Sequence, residues 1–380
     1  MLDNAKNKSA EFIMCPTDEK YAEETRQFQG CPTIAVTRKG RVFLGWYSGG
    51  GGEPQMDNYN ILAASDDCGK TFSKPIAVIP SSKENLVHAL DIQLWINDKG
   101  ELYVFWVQNN VEKIDSMEEK VFFEHGFPRV NYGGYNFMDR RHTMWCSICK
   151  NPDADINSLE FTKPECLDDG FLRCKPLKLS SGKYLFFNYD QTTDNYMMSL
   201  TEDCKSFTRI TGGNKLLTNH DETMAYEMLD GTIRLLARAD RIGVLAESFS
   251  KDGGLTWTDG EKSDIVSTSS RFFVSRTPTG RVLLIHNNHP SERTNMTVCL
   301  SEDDGKTWKH SLLLDNREQL SYPDADFCDG KIYLTYDRER HGAREIIVAS
   351  LTEDDIINGN APTLVVASKP SVPRTWVNPS

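Results

Sequence analysis

Four ionisable residues, Asp91, Arg173, Glu222 and Arg271, each stand nine residues ahead of a glycine, at Gly100, Gly182, Gly231 and Gly280. The segments they open are otherwise apolar, as in Phe272-Phe273-Val274 after Arg271. A charge at the head of an apolar strand is costly unless it is paired or binds something. The same offset ahead of Gly40 and Gly330 falls on Cys31 and Ser321, and Tyr322 follows directly. Two residues past Asp91 and Arg173, on the same face of an extended strand, come Gln93 and Lys175. Carboxylates, guanidiniums, an ammonium and a phenol at one strand end can bind an acidic, hydroxyl-rich ligand and move protons. The bland alternative is a set of salt bridges plugging a channel.

What gathers these residues is a repeat. Gly40, Gly100, Gly182, Gly231, Gly280 and Gly330 are spaced 60, 82, 49, 49 and 50 residues apart. Each is followed by a short apolar strand, such as Val42-Phe43-Leu44, Val282-Leu283-Leu284 and Ile332-Tyr333-Leu334. Downstream lies a second motif, Ser-x-Asp-x-Gly-x-Thr-aromatic, at Ser65–Phe72, Ser250–Trp257 and Ser301–Trp308, with a worn copy from Thr201 to Phe207. Its Ser and Asp suit bonding to local backbone N–H groups, and its glycines suit positive φ, so the box reads as a turn device. Strand-like units repeating at about 40–50 residues predict an all-β fold, a six-bladed β-propeller, as one domain over residues 1–380 with an insertion at about 109–142. In such an array the first strand of each blade lines the central channel. The six offset positions then form a ring at its mouth.

Composition limits the function classes. A net charge of −12 offers no basic surface for nucleic acid. No apolar run approaches the roughly 18 residues of a membrane span, and Met1-Leu2-Asp3-Asn4-Ala5-Lys6 does not read as a signal peptide, so a cytoplasmic location is expected. The ten cysteines are then expected as reduced thiols. Cys146 and Cys149 lack a second closely spaced pair, Cys166 and Cys174 being eight apart, so neither a metal nor a cofactor is expected. Oligomeric state is not readable from the chain.

The boxes resemble the Asp-boxes, or BNR repeats, of the sialidase (neuraminidase) superfamily of six-bladed propellers. The segment Asp221-Glu222-Thr223-Met224-Ala225-Tyr226-Glu227-Met228-Leu229-Asp230-Gly231 is similar to the sialidase segment whose glutamate activates the nucleophile. Ser321-Tyr322-Pro323-Asp324 is similar to the segment bearing the nucleophilic tyrosine, and His286 to Val298 to the segment bearing the third arginine of the sialidase triad. The resemblance implies Tyr322 as nucleophile, Glu222 as its base and Arg293 as a carboxylate contact. It implies an acid on the loop Ser48–Asp57, with Glu53 the better register match, Asp57 second, and Asp91 of the ring a rival.

The chain departs from the sialidase pattern in two places. The arginine of the opening sialidase motif is replaced by Gly30 within Gln29-Gly30-Cys31-Pro32, and the second triad arginine falls on Leu245. Arg173, Lys175 and Arg271 are the ring's candidate substitutes for substrate binding, with Gln29 and Asp324 beside them. The expected function is an exo-glycosidase that hydrolyses a terminal acidic sugar by a retaining Tyr/Glu mechanism, its partner being a carbohydrate. Sialidases use tyrosine where most retaining glycosidases use a carboxylate nucleophile. A propeller-type lyase cutting uronic-acid linkages and a non-catalytic glycan-binding propeller are the two alternatives. The long segment between Gly100 and Ser147, rich in aromatics and glycine, is expected as a loop walling the substrate pocket.

Overall fold

The computed structural model describes residues 3–117, 120–124, 127–137, 142–218, 220 and 222–373, with 121–124 and 127–129 as backbone only. Each of the six turn glycines has a left-handed backbone, with φ between 71° and 97°. At all six positions nothing lies within 4 Å of where a Cβ would stand, so glycine is there for its φ alone. Replacing Gly231 by alanine, at φ 84°, should therefore cost about 1–2 kcal/mol through the backbone only. A lower denaturant midpoint with an unchanged slope is the expected result; an unshifted midpoint would contradict this reading.

The strands flanking these turns make six antiparallel sheets, and the fold is all-β, of the six-bladed propeller class. The chain divides into two compact units. The first comprises Met1–Leu172, Glu339–Ile346 and Val366–Ser380. One of its sheets runs in the order Ile13–Met14, Ala77–Pro80, Asn58–Ser65, Val42–Gly49, Gln29–Val36. The other is built on Val87–Ile96, Leu102–Lys113, Thr143–Cys149 and Glu165–Asp169. Here the insertion departs from expectation: it forms strands Lys120–Glu124, Phe127–Tyr132 and Tyr135–Phe137, which extend this sheet beyond Leu102–Lys113. The cause is local. Gly133 and Gly134, with φ 57° and 80°, make a two-residue hairpin turn that pairs Tyr132 with Tyr135. The residues of that segment read as pocket-lining at His125, Gly126, Arg140 and Arg141 lie outside the described residues.

The second unit comprises Arg173–Arg338 and Ile347–Val365 and holds four-stranded sheets around a continuous core from Cys174 to Ile356. The strands between the edges are largely buried, Val282–Asn287 along its whole length. Outer strands alternate: in Glu261–Val266 only Ser263 and Ile265 are buried. The boxes repeat one set of contacts. Ser250 Oγ donates to Asp252 Oδ1 at 2.9 Å and accepts Gly254 N at 2.9 Å, while Thr256 N and Oγ1 donate to Asp252 at 2.9 and 2.6 Å. The same four bonds recur at Ser65–Thr71 and Ser301–Thr307. Their aspartates serve the turn, with carboxyls held below the ordinary range by these donors, the Thr donors foremost.

Candidate active site

Tyr322 heads the strand Leu320–Cys328, whose pairing shifts register between Ser321 and Asp324. The tyrosine itself takes a left-handed φ of 56°. This is a bulge, which adds one residue and re-aims the side chain that carries it. Cys31 (φ 55°) and Asp91 (φ 49°) sit at equivalent register breaks in the first unit. Non-glycine residues in this region store strain, and they concentrate where a side chain must be presented in one direction.

Glu222 lies just ahead of the strand Thr223–Glu227, and only 3% of it is exposed. Tyr322 Oη donates to Glu222 Oε1 at 2.6 Å. The other carboxylate oxygen accepts Arg238 Nη1 at 2.9 Å, and the same nitrogen stands 3.3 Å from Tyr322 Oη. Arg173 Nη2 is 3.3 Å from Glu222 Oε1. Burial alone would raise the Glu222 carboxyl, but the Arg238 and Arg173 guanidiniums overcome it and hold the group ionised, well below the usual carboxylate range.

Arg238 was not expected. Leu245, where a guanidinium was sought, is fully buried in the apolar core. The hairpin explains why Arg238 arrives instead. Thr223 pairs with Ala237, and the next residue back and forward along that ladder are Glu222 and Arg238, joined by Arg238 N to Glu222 O at 3.0 Å. Ser269 Oγ accepts Arg238 Nε and Nη2 at 3.1 and 3.0 Å and donates to Asp240. The guanidinium is thereby fixed on three sides.

Three further arginines surround the tyrosine ring. Arg173, Arg271 and Arg293 have their Cζ atoms 4.6, 5.4 and 5.5 Å from its centroid. Arg271 braces the main chain: it donates to the carbonyls of Arg173 (2.6 Å), Tyr322 (3.1 Å) and Pro323 (3.2 Å), so it holds the bulge in place. Arg293 reaches Ser269 O at 3.2 Å. Lys175 and Asp324 pair with each other at 2.5 Å, largely out of solvent. Four guanidiniums thus stand against Glu222 and Asp240, a cationic cluster in a chain of net charge −12. Such a cluster favours an anionic ligand.

The remaining expected residues lie in the first unit. Gln29 is fully buried, accepting Trp46 Nε1 at 3.1 Å and donating to Arg344 O at 2.6 Å. It is a brace. Asp91 is 7% exposed at its bulge. Glu53, on the glycine-rich loop, is about one-third exposed and pairs with Arg340 Nη1 at 3.4 Å. Asp57 pairs with Lys83 at 2.7 Å on the surface. Among the described residues no group of three or more His, Cys, Asp or Glu side chains is placed to hold a metal. No helix among them is long and apolar enough to cross a membrane.

The fold, with its repeated Asp-boxes, is similar to the sialidase-like BNR-repeat propellers. Residues 154–334 match the BNR repeat-like domain family. A sialidase of Bacteroides fragilis is 34% identical over 120 residues, which is 29% of this chain and 22% of that protein. Among solved structures, the NanB sialidase of Streptococcus pneumoniae superposes with a TM-score of 0.65 at 16% identity, covering 90% of this chain and 70% of that one. The intramolecular trans-sialidase of Ruminococcus gnavus gives 0.64 at 12% identity, covering 93% and 99%. At these identities the likeness concerns the fold.

Proposed function

We propose that the protein is a retaining exo-glycosidase that releases a terminal acidic sugar, with Tyr322 as nucleophile and Glu222 as its base. The observation carrying this reading is the 2.6 Å hydrogen bond from Tyr322 Oη to a buried, ionised carboxylate inside a ring of guanidiniums. A phenol is a poor nucleophile until its proton has an acceptor. Here Oη bonds to the anomeric carbon as the bond to the leaving oxygen breaks, and its proton passes to Glu222 Oε1. The guanidiniums near the ring stabilise the negative charge that develops on the phenolic oxygen. Water then attacks the same carbon and gives up a proton to the carboxylate that had protonated the leaving oxygen, the sugar–tyrosine bond breaks, and Glu222 returns its own proton to Oη.

Glu53 and Asp91 are the proposed candidates for the acid that protonates the leaving oxygen. Loss of that acid matters most for a poor leaving group. Glu53→Gln or Asp91→Asn, whichever removes the acid, should slow an alkyl glycoside about 100-fold or more while sparing a nitrophenyl glycoside. Equal effects of both substitutions on both substrates would contradict the assignment.

A panel of aryl glycosides tests the function itself. Aryl glycosides of carboxylated sugars should release phenol, with the first product retaining the anomeric configuration by NMR. Cleavage of neutral sugars alone, an inverted product, or a new unsaturated uronate absorbance would each overturn the proposal.

A further inference from the structure

One serine of the second unit touches two of the arginines around the Tyr322–Glu222 pair. Ser269 is the corner of a tight turn closed by Ser270 N to Thr268 O at 2.8 Å, the bond of a γ-turn. The strand Glu261–Val266 leads into this turn, and Arg271, which holds the Tyr322 and Pro323 carbonyls, leaves it. The main-chain oxygen of Ser269 accepts Arg293 Nη2 at 3.2 Å. Its hydroxyl accepts Arg238 Nε and Nη2 at 3.1 and 3.0 Å and donates to Asp240 Oδ1. Asp240 is fixed in turn by its own N–H, which donates to Leu217 O at 2.7 Å. A serine hydroxyl has a single proton and a pair of acceptor sites, so these contacts saturate it. The direction of the proton follows from chemistry. A guanidinium accepts nothing, so the proton goes to the carboxylate and the lone pairs face Arg238.

The donors of Arg238 are committed by this arrangement. An arginine takes a carboxylate in a fork through neighbouring N–H groups on one edge. The edge of Arg238 made by Nε and Nη2 is taken by Ser269. The N–H groups of Nη1 are directed at Glu222 Oε2 (2.9 Å) and Tyr322 Oη (3.3 Å). These contacts leave a single N–H on Nη2, which makes no fork. The place of Nη1 matters when the proton moves. Negative charge starts on Glu222 and passes to Tyr322 Oη as the proton crosses their 2.6 Å hydrogen bond. Nη1 contacts both ends of that path, so it meets the charge at either end without moving. Charge placed in advance lowers a barrier because nothing has to reorganise during the step. Anchored by Ser269 on its far edge, the guanidinium does not swing toward the carboxylate alone.

We infer that Ser269, its proton fixed by Asp240, is a positioning residue that reserves Arg238 for the Tyr322–Glu222 pair and keeps it from the acidic group of the ligand. The inference rests on the glycosidase reading above and deepens it. Arg238 serves the nucleophile, and recognition of the acidic group falls to other residues. Ser269 acts through Arg238 and not on the substrate.

Ser269→Ala removes the hydroxyl and spares the turn, whose bond is main-chain. On an aryl glycoside of an acidic sugar it should lower kcat about 10- to 100-fold, the scale for lost hydrogen bonds to a charged group, and leave KM within about twofold. Asp240→Ala should act in the same way, and the double variant should lose little more than the worse single one. A raised KM at unchanged kcat would put Arg238 on the ligand and overturn the inference, as would additive losses. Denaturant unfolding tests the same claim without substrate. Against the burial that would raise it, the Arg238 and Arg173 charges hold the Glu222 carboxyl below its ordinary 4.5. A loosened Arg238 lets the folded value climb back toward that figure. The ionised carboxylate adds stability that is present above 4.5 and lost as pH falls, so wild type should exceed Ser269→Ala most near neutrality, with the gap narrowing below 4.5. In a Glu222→Gln background most of that pH dependence should vanish. A gap that is constant between neutral and acid pH, or one whose pH dependence survives Glu222→Gln, would overturn the inference. A wild type that turns over no glycoside would sink the hydrolase reading alone, with the unfolding comparison still deciding the inference. Turnover with kcat untouched by Ser269→Ala would sink the inference alone.

Discussion

Replacing Tyr322 by phenylalanine should lower kcat on an activated aryl glycoside by roughly 1000-fold or more, the scale expected when a covalent nucleophile is removed. The substitution is nearly silent for the fold. The ring keeps its place among Arg173, Arg271 and Arg293, and Glu222 keeps both of its arginine partners. Only the oxygen that donates to Glu222 at 2.6 Å disappears. A large loss of kcat in a protein that melts normally is therefore the expected pattern. Glu222→Gln should also lose kcat, because an amide cannot accept the phenolic proton as a carboxylate does. Near-wild-type turnover by the Tyr322 variant would end the nucleophile assignment.

The largest expected effect on stability comes from Arg238. Glu222 is 3% exposed, and removing one partner of a buried ion pair costs about 3–5 kcal/mol, mostly for the charge left behind. Arg238→Met, which preserves much of the stem's packing, should show that loss in denaturant unfolding at neutral pH. The pH dependence gives a sharper signature. In the wild type the Glu222 carboxyl lies below the ordinary glutamate value of 4.5, so the ionised group adds stability that is fully present above that value. The contribution fades as pH falls toward the folded value, where the native state also takes up the proton. The gap between wild type and Arg238→Met should therefore be widest near neutrality and narrow steadily below about pH 4.5. A constant gap from pH 7 to pH 3 would mean that Arg238 acts through packing, not through Glu222.

These residues were unequally legible in the sequence. The turn glycines were, because a backbone at φ 71–97° leaves few alternatives and the repeat multiplies the signal six times. Glu222 followed from the same ruler. Arg238 could have followed too: the hairpin folds about Gly231, and its ladder puts the residue after Ala237 opposite the one before Thr223. Counting toward the box serine pointed to Leu245 instead, a position on the next strand that packs into the core. Tyr322 fell one residue off the offset shared by Cys31 and Asp91, because its bulge sits one place later ahead of its glycine. Bulges leave no reliable mark in a single sequence.

Other features depended on distance along the chain. Nothing near Gly30 in the sequence announces Arg340, whose stem fills the space where a Cβ of residue 30 would stand. The sequence leaves the charged ring open between ligand contacts and salt bridges plugging a channel, and its members divide by chemistry once their partners are seen. Lys175 and Asp324 neutralise each other, Gln29 is a buried brace, and Arg271 holds three carbonyls. The Gly133-Gly134 pair, flanked by tyrosines, was a readable hairpin signal, and the alternating apolar residues around it make strands where a loop was expected.

Covalent chemistry at Tyr322 is the central claim, and peptide mass spectrometry of an acid-quenched steady-state reaction tests it directly. With an activated aryl glycoside of an acidic sugar, the peptide containing Tyr322 should gain the mass of one sugar less water, and Tyr322→Phe should abolish the adduct. An adduct on another residue, or turnover with no adduct on any peptide when deglycosylation is made rate-limiting, would contradict it.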